Sequence, residues 1–330
     1  MRVAVIGYGT ENTASTVFRY RACQKMWAED GHLLDMYYIK KVTKDFWSRI
    51  KSYDAIINQK ALLRPSFGRK LFAIGIPVFF DFDDALWTRP KKPYSWFTQL
   101  KVNCRIRYWF KHVDGIITAN RVLADFANTF NDRVYVVPMA LDLSIWKPVP
   151  KLPKKEIIIG WAGSPGNLWH LEKLQSVLEE VLTTYQQTRL AVFSGKKPDF
   201  TIPFDYYKYE PGKEAGFIQS LDIGLLPLEY EPYSMGKSPL KALQYLSCGV
   251  PVVGNIKGAA SEFLTNKNSI SVNSIPEWKA ALGRLIKNQA EINQLGNAGI
   301  EYIRKHHNLY NTSKELQNII GKKLSNYSIQ

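Results

Sequence analysis

The sequence is poor in cysteine: the 330 residues include only Cys23, Cys104 and Cys248. No two of them form a C-x-x-C pair, which argues against a zinc site of paired cysteines and against a disulfide framework. Such sparse usage fits a reducing cytosol. The five histidines show no paired ligand spacing either. We therefore expect no bound metal.

Long hydrophobic runs are also missing. The longest apolar run, residues 71–80, has about half of the roughly 20 residues that a membrane-spanning helix needs. The N-terminus contains no apolar run of signal-peptide length before its glycines. We therefore expect a cytoplasmic protein that is soluble or attached peripherally to the inner face of the cell membrane.

Acidic residues are scarce relative to basic ones. The chain has 44 Lys and Arg against 29 Asp and Glu, a net charge of +15, and residues 1–150 hold 23 of these cations against 13 of the carboxylates. Such an excess predicts an anionic partner. The charge alone does not choose among phosphate groups, nucleic acid and acidic lipid.

Both halves of the chain open with a β-type run, a glycine-containing loop and a helical pattern. Strand-like and helical segments then alternate, which predicts an α/β fold of two Rossmann-like, doubly wound parallel-sheet domains facing a cleft. We place these domains at residues 1–148 and 149–310, with a proline-rich linker near 143–156 and a last helix at 311–330. Ligands of such sheets bind at the carboxyl ends of the strands.

Two lysines flank the predicted start of a helix in the second half. Ser238 has the side chain of a helix cap, and Pro239 suits a first turn. Lys237 and Lys241 add cations to a helix end that already carries partial positive charge. An anion between them, most simply a diphosphate, removes the repulsion, and Gln244 on the same face could bond a neighbouring hydroxyl group. The alternative is that both lysines are solvated surface residues.

Two loops have the composition of phosphate sites. Gly163 and Ser164 lie between a strand and a helix, as anion-binding residues do. In the first half, Gly7 and Gly9 begin a dinucleotide fingerprint, but Asn12 stands at its third glycine position. An NAD-dependent oxidoreductase is the alternative that this incomplete motif leaves open.

Several stretches share their pattern with one enzyme class. They are YGTENTASTVFRYRA at 8–22, VYVVPMALDLSIWKP at 134–148, GWAGSPGNLWHL at 160–171, DIGLLPL at 222–228, GKSPLKALQYLSCGVPVVG at 236–254 and ASEFLTNKNSISV at 260–272. Over nearly the whole chain the layout resembles the GT-B glycosyltransferases, in particular the retaining enzymes of glycosyltransferase family 4 (glycosyl transferases group 1). The stretch at 236–254 resembles the E-x7-E block of that family and is the most specific of the set.

The resemblance implies a metal-independent hexosyltransferase that needs no cofactor. It would move a sugar from a nucleotide diphosphate sugar to a glycan or lipid-linked acceptor, with retention of configuration, in surface polysaccharide or glycolipid assembly. By the same resemblance, residues 1–148 would bind the acceptor, residues 149–310 would bind the donor, and the helix at 311–330 would cross back to the first domain.

The site residues follow from positions that match the family and from the charge argument. The expected catalytic residues are Asp83, Asp84, Lys237 and Lys241. The expected donor-binding residues are Gly163, Ser164, Lys196, Glu231, Ser238, Gln244 and Glu262. The expected acceptor-binding residues are Gly9, Thr10, Arg19 and Arg21, and the two arginines could grip an acceptor phosphate.

Two departures from the family pattern bear on activity. The first glutamate of E-x7-E usually touches the donor sugar and falls here on Gly236. The second usually holds the donor ribose and falls on Gln244, which can still form hydrogen bonds. Because glycine cannot replace a carboxylate, Glu229 and Glu231 are the nearest substitutes. A non-catalytic nucleotide-sugar-binding relative therefore stays open as an alternative.

Asp83 and Asp84 follow a strand at a place where the resembling enzymes carry a histidine beside the sugar. One interpretation is that either carboxylate orients the acceptor hydroxyl group or the donor sugar. The other is that one aspartate caps a helix and the other is solvated. Adjacent residues rarely face each other at the ~5–9 Å spacing of glycosidase carboxylates, which argues against a hydrolase.

Residues 89–112 mix Lys and Arg with Trp96, Phe97, Tyr108, Trp109 and Phe110. Such a segment is typical of helices that dock on an anionic membrane surface. The alternative is an ordinary amphipathic helix that covers a sheet. The mixture would also suit RNA, but no nucleic-acid-binding module is recognisable, so we expect no nucleic-acid partner.

Overall fold

The computed structural model describes residues 1–39, 44–150, 156–229 and 231–327. Part of the predicted linker near 143–156 falls outside these residues, and so do the last three residues of the helix predicted at 311–330.

The chain forms two compact units, and neither is continuous in sequence. Unit 1 is Met1–Ala140, Glu231–Ser238 and Leu309–Gln330, and unit 2 is Leu141–Tyr230 and Pro239–Asn308. A short stretch of the second half, residues 231–238, therefore packs with the first sheet. The domain boundary predicted at residue 148 does not assign residues 231–238 (the exchanged segment) to unit 1.

Unit 1 is built on a parallel sheet. Its strands are β1 Arg2–Gly7, β2 Leu33–Tyr38, β3 Ala55–Gln59, β4 Val78–Phe82, β5 Gly115–Thr118 and β6 Val134–Val136. All neighbours pair in parallel, in the order β2-β1-β3-β4-β5-β6. Strands β3, β4 and β5 are buried at every position. Burial on both faces explains why these strands are mostly apolar.

Helices cover this sheet. They are α1 Ala14–Arg19, α2 Gln24–Glu29, α3 Lys44–Arg49, α4 Pro65–Phe72, α5 Trp96–His112 and α6 Arg121–Asn128. The start of α6 is capped by Asn120, whose side-chain oxygen accepts a hydrogen bond from the Leu123 amide at 3.0 Å. Helix α5 packs through Trp109 and Phe110, whose rings lie 5.9 and 5.2 Å from that of Phe80.

Unit 2 repeats the architecture. Its strands are β7 Ile157–Ala162, β8 Thr188–Ser194, β9 Asp205–Lys208, β10 Ile223–Leu226, β11 Val252–Gly254 and β12 Ser269–Ser271. They form a second parallel sheet in the order β12-β11-β10-β7-β8-β9. Two six-stranded parallel sheets, each with its own helices, confirm the predicted α/β class.

The remaining helices complete both units. They are α7 Leu168–Glu172, α8 Gln175–Thr184, α9 Glu214–Ser220, α10 Pro232–Met235, α11 Leu240–Ser247, α12 Ile275–Ile286, α13 Gln289–His306 and α14 Leu309–Tyr327. Helices α10 and α14 lie in unit 1. Helix α14 contributes Leu309, Leu316 and Ile320 to the core of that unit.

Two local predictions were wrong. The leucines from 168 to 182 have the spacing of one helical face, which predicts a single helix, but the helix is interrupted between α7 and α8 at residues 173–174. The helix predicted to be capped by Ser238 begins at Leu240 and has no side-chain cap. The Ser238 hydroxyl oxygen instead accepts a hydrogen bond from the Asn120 amide group at 2.8 Å. A tertiary partner thus replaces the expected local one.

Each sheet has one point where the strand order reverses direction. In unit 1 it lies between β1 and β3, and in unit 2 between β7 and β10. Ligands of open α/β sheets bind outside the carboxyl ends of the strands at such points. The loops that follow these four strands are therefore the places to look for a site in either unit.

In the part of the chain that the structure describes, no helix combines the length and the apolar character that crossing a membrane requires.

Candidate functional site

The loop after β1 is tied to the end of β3 in unit 1. Gly9 has a φ of 83°, a left-handed conformation that favours glycine, and a Cβ there would lie 2.4 Å from the Thr13 hydroxyl oxygen. The amide of Thr10 donates to that same hydroxyl at 2.9 Å. The Thr16 hydroxyl donates to Gln59 Oε1 at 3.1 Å and thereby joins the two sides of the reversal point. The predicted acceptor residues Gly9 and Thr10 thus line this edge.

A buried charged cluster lies at the same edge, beyond β3 and β4. Lys60 Nζ lies 2.6 Å from Asp83 Oδ1 and 2.5 Å from Asp84 Oδ2. The Lys60 and Asp83 side chains are about a tenth exposed and that of Asp84 about a quarter (9%, 10% and 24%). Asp83 and Asp84 therefore face one cation together and are not a solvated pair.

The surroundings move the pKa values of the two aspartates in opposite directions. Burial raises the pKa of Asp83, and the attraction of Lys60 offsets this only in part. Burial also opposes ionisation of Asp84, but the charge and hydrogen bond of Lys60, together with Lys237 and the Tyr233 hydroxyl, outweigh it and lower the pKa. The same cation thus acts on two carboxyl groups whose pKa values are shifted in opposite directions.

The exchanged segment 231–238 completes this cluster within unit 1. Burial and the nearby Asp84 carboxylate raise the pKa of the Tyr233 hydroxyl group. Lys237 lies close enough to feel the charges of Asp84 and Glu231, although burial dominates and lowers the pKa of Lys237. Glu231 Oε2 accepts a hydrogen bond from the Lys91 amide at 3.0 Å.

Gly236, which the resemblance aligned with the first glutamate of E-x7-E, is closely packed. A Cβ on Gly236 would lie 2.9 Å from Leu123 Cδ2 and 3.1 Å from Ala85 Cβ. Its carbonyl oxygen accepts a hydrogen bond from the Asn120 amide group at 3.1 Å. A glutamate at this position would therefore have to displace the side chains of unit 1 that surround it.

Arg19 has a different partner from the one that the sequence suggested. Its Nε donates to Asp81 Oδ2 at 2.8 Å, and Nη1 donates to the Val137 carbonyl oxygen at 3.0 Å. The Arg19 and Asp81 side chains are 4% and 0% exposed. The guanidinium group is thus directed into unit 1 rather than towards an acceptor phosphate. Arg21, by contrast, is exposed, and its Nη1 donates to the Glu11 carbonyl oxygen at 2.8 Å.

In unit 2, the predicted phosphate loop lies at the reversal point of the second sheet. Gly163 and Ser164 directly follow β7, and the Gly163 amide donates to the Phe193 carbonyl oxygen at 3.0 Å. Ser164 is exposed, and so is Lys196, which follows β8 two residues after the strand ends. Glu229 follows β10 and pairs with Lys173 at 2.6 Å. These groups share the carboxyl edge of the second sheet.

Helix α11 carries a second charged cluster. Lys241 Nζ forms an ion pair with Glu214 on α9 and donates to Gln244 Oε1 at 3.0 Å. Gln244 Nε2 lies 3.3 Å from Glu214 Oε2. The charge argument from sequence assumed that Lys237 and Lys241 had no protein partner. Because both have carboxylates nearby, their presence alone does not require a bound diphosphate.

Glu262 is the last predicted donor residue. It ends a short helical turn, Gly258–Glu262, and is exposed, while its carbonyl oxygen accepts a hydrogen bond from the Tyr302 hydroxyl at 3.0 Å. Across the described residues, no three His, Cys, Asp or Glu side chains are grouped as a metal site would require.

Comparisons with known proteins bear on the class of the molecule. Residues 207–318 match a family model described as glycosyl transferase-like. Sucrose-phosphate synthase from Thermosynechococcus elongatus has a similar structure (TM-score 0.73, 13% identity, 98% of this chain and 99% of that one). So has HepE from Anabaena in complex with UDP and glucose (TM-score 0.72, 10% identity, 98% and 100%). No curated protein sequence matches the chain.

The fold is GT-B. A glycosyltransferase from Rickettsia africae has the same GT-B arrangement (TM-score 0.69, 10% identity, 98% of each chain). These likenesses extend over both units, so the GT-B description applies to the whole chain. The family-model match contains α11 and the charged cluster around Lys241.

The sequence analysis missed three residues of the two charged clusters: Lys60, Tyr233 and Glu214. Lys60 carries a readable signal, since it directly follows a strand beside the reversal point. Tyr233 and Glu214 carry none, because their partners Asp84 and Gln244 lie far away in sequence or on another helix.

Proposed function

We propose that the protein is a glycosyltransferase that transfers a hexose from a nucleotide diphosphate sugar to a glycan or lipid-linked acceptor, with retention and without a metal. The observation that carries this proposal is the match of residues 207–318 to a glycosyl transferase-like model within a GT-B fold. One similar structure, HepE, is described with UDP and glucose bound, which supports a uridine nucleotide as the first donor to test.

The donor is assigned to unit 2. Gly163 and Ser164 would bind the phosphates, as short loops before helices do. Lys241 and Lys196 would offset the negative charge that grows on the departing diphosphate, which is the main task of such a site. Gln244 would bond the ribose, and Glu262 the donor sugar. Bound diphosphate would compete with Glu214 for the Lys241 ammonium group.

The acceptor is assigned to unit 1. The lowered pKa of Asp84 supports a role in accepting a hydrogen bond from the hydroxyl group that attacks, and Asp83 shares the Lys60 ammonium group with it. The new glycosidic bond forms on the face from which the diphosphate leaves, and a phosphate oxygen takes the proton. Arg21, Gly9 and Thr10 would contact the rest of the acceptor. Arg19 is not part of this proposal, because it pairs with Asp81.

We also propose a peripheral membrane location and a role in surface polysaccharide or glycolipid assembly. The surface that supports this proposal is smaller than the segment 89–112 that the sequence indicated. Trp109 and Phe110 are buried in unit 1, as the alternative of an ordinary helix required. Trp96, Phe97 and Leu100, at the start of α5, are 68%, 76% and 46% exposed. Residues 85–113 contain no Asp or Glu. An exposed aromatic end beside cations suits an anionic lipid surface.

A non-catalytic nucleotide-sugar-binding protein is the second candidate, favoured by Gly236 in place of a carboxylate. One experiment separates the two. Thermal shift against UDP, GDP, CDP and their sugars identifies the donor, since a ligand at about 100 times its Kd adds ~2.7 kcal/mol. Release of the nucleoside diphosphate with an acceptor present then supports the transferase. A stabilising donor without turnover supports the binding protein, and no response to any nucleotide contradicts both.

A further inference from the structure

Lys60 has an unusual backbone conformation. Its φ is 47°, and among the described residues only Lys60 and Lys91 combine a positive φ with a side chain. A side chain in this left-handed region costs free energy that glycine does not. The conformation is held by the Lys60 amide, which donates to the Asp81 carbonyl oxygen at 2.7 Å. Residues kept in such conformations cluster at functional sites.

The side chain gives a reason for this conformation. It lies in a buried position between Asp83 and Asp84, at 2.6 and 2.5 Å. Removing one partner of a buried ion pair leaves an uncompensated charge, which destabilises a protein strongly. Without Lys60, two adjacent carboxyl groups would share a buried site with no cation between them.

Other charged and titratable groups face the cluster from two elements. Lys237, Tyr233 and Glu231 approach from the exchanged segment. Arg19 on α1 acts on Asp83 from the interior, although Asp81 already neutralises it. Lys60 is thus the only one of these cations that the structure places within 4.0 Å of both Asp83 and Asp84, among the described residues.

We propose that Lys60 is a positioning residue, which holds Asp83 and Asp84 in the arrangement that receives the hydroxyl group of the acceptor. This inference rests on the proposed transferase function. It assigns a role in that function to Lys60, which lies beside the reversal point of the first sheet. Acceptor use, rather than donor binding, should therefore depend on Lys60.

The test uses three variants of the full chain. Lys60→Asn removes the cation but tolerates the left-handed backbone. Lys60→Arg keeps the charge. Lys25→Asn is the matched control, because Lys25 is exposed and also pairs with a carboxylate, Glu29, at 3.8 Å. For each variant we would measure kcat, the KM for acceptor and for donor, and the thermal shift given by the donor nucleotide.

We expect Lys60→Asn to lower kcat/KM for the acceptor by about 100-fold, the size of loss that misplaced reacting groups give. The donor thermal shift should not change. The acid limb of the pH profile should move to higher pH, because burial disfavours ionised Asp84 and only Lys60 with its neighbours lowers that pKa. Lys60→Arg should recover part of the loss, and Lys25→Asn should match the wild type.

A purely structural role makes a different prediction. The double variant Lys60→Asn/Asp83→Asn removes one carboxyl group together with the cation. If Lys60 only balances the charge of the two aspartates, this variant should be active. Activity restored in this double variant, or unchanged in Lys60→Asn, overturns the inference. If Lys60→Asn does not fold, Lys60→Gly, which suits a φ of 47°, takes its place. A wild type that transfers no sugar contradicts the proposed function itself, whereas an active wild type with active Lys60→Asn contradicts only the role of Lys60.

Discussion

Arg19 and Asp81 form a buried ion pair that joins helix α1 to strand β4. They are 62 residues apart in sequence, and Arg19 also holds the carbonyl oxygen of Val137 after β6. One guanidinium group therefore connects three elements of unit 1. Arg19, which the sequence analysis expected to bind an acceptor phosphate, therefore stabilises unit 1 instead.

Arg19→Ala should lower the free energy of unfolding by about 3–5 kcal/mol, because it leaves the Asp81 carboxylate buried without its cation. Urea denaturation of the full chain measures this. Arg21→Ala is the matched control, since Arg21 is exposed, and its effect should stay within about 0.5 kcal/mol. A stable Arg19→Ala variant with a raised acceptor KM would instead restore the acceptor role of Arg19.

Lys241→Ala should reduce turnover at least about tenfold while the protein stays folded, because the ammonium group offsets charge that develops on the leaving diphosphate. Glu214→Gln should raise the affinity for the donor nucleotide, because it removes the carboxylate that competes with the diphosphate for Lys241. Both are measured by steady-state kinetics and by titration with the donor nucleotide. Lys213→Ala, an exposed lysine paired with Glu210, is the control. Normal turnover in Lys241→Ala rules out this assignment of charge.

Gly236→Ala should destabilise the protein by about 1–3 kcal/mol, the usual effect of overpacking. The added methyl group would lie 2.9 Å from Leu123 Cδ2, so a neighbour must move. Gly216→Ala, in helix α9 with nothing within 4 Å of the new methyl group, should instead be neutral or stabilising by up to about 1 kcal/mol. Thermal unfolding compares the two, and equal midpoints would show that Gly236 is not tightly packed.

Trp96→Ser/Phe97→Ser should weaken sedimentation with vesicles of anionic lipid by about tenfold or more, since each ring contributes ~1.5–3 kcal/mol when buried. The control is Ile145→Ser/Tyr310→Ser, which removes two side chains of similar exposure elsewhere (54% and 55%). Binding of the wild type should fall as salt increases. If wild type and double variant bind alike, or neither binds, the docking surface is wrong.

The sequence predicted the two sheets because the strands carry their own signals: apolar runs such as those of β3 and β4, followed by glycine or polar loops. It also located the edge of each sheet where polar side chains gather, with Asp83 and Gly163 as examples. Partners were harder to predict. Ser238 was assigned to a helix cap by its neighbours, whereas its hydrogen-bond partner Asn120 lies 118 residues away. Local patterns contain no information about such distant contacts.

The same limit applies to Lys60. Neither the residue type at position 60 nor the neighbouring residues predict a left-handed backbone there. The two carboxylate partners of Lys60 lie more than twenty residues further along the chain. The effect of Glu214 on Lys241 depends likewise on how α9 packs against α11. The sequence predicted which polar and charged side chains lie at each sheet edge. Which of them form ion pairs with one another is determined by tertiary packing.

The discontinuity of unit 1 has a consequence for synthesis on the ribosome. Its core includes Leu309, Leu316 and Ile320 of α14, so the nascent N-terminal half lacks part of its own interior until these residues have been synthesised. A fragment that stops at Ala140 would lack Glu231–Ser238 and Leu309–Gln330, which belong to unit 1. Unit 1 can therefore complete its fold only after the whole of unit 2 has been synthesised.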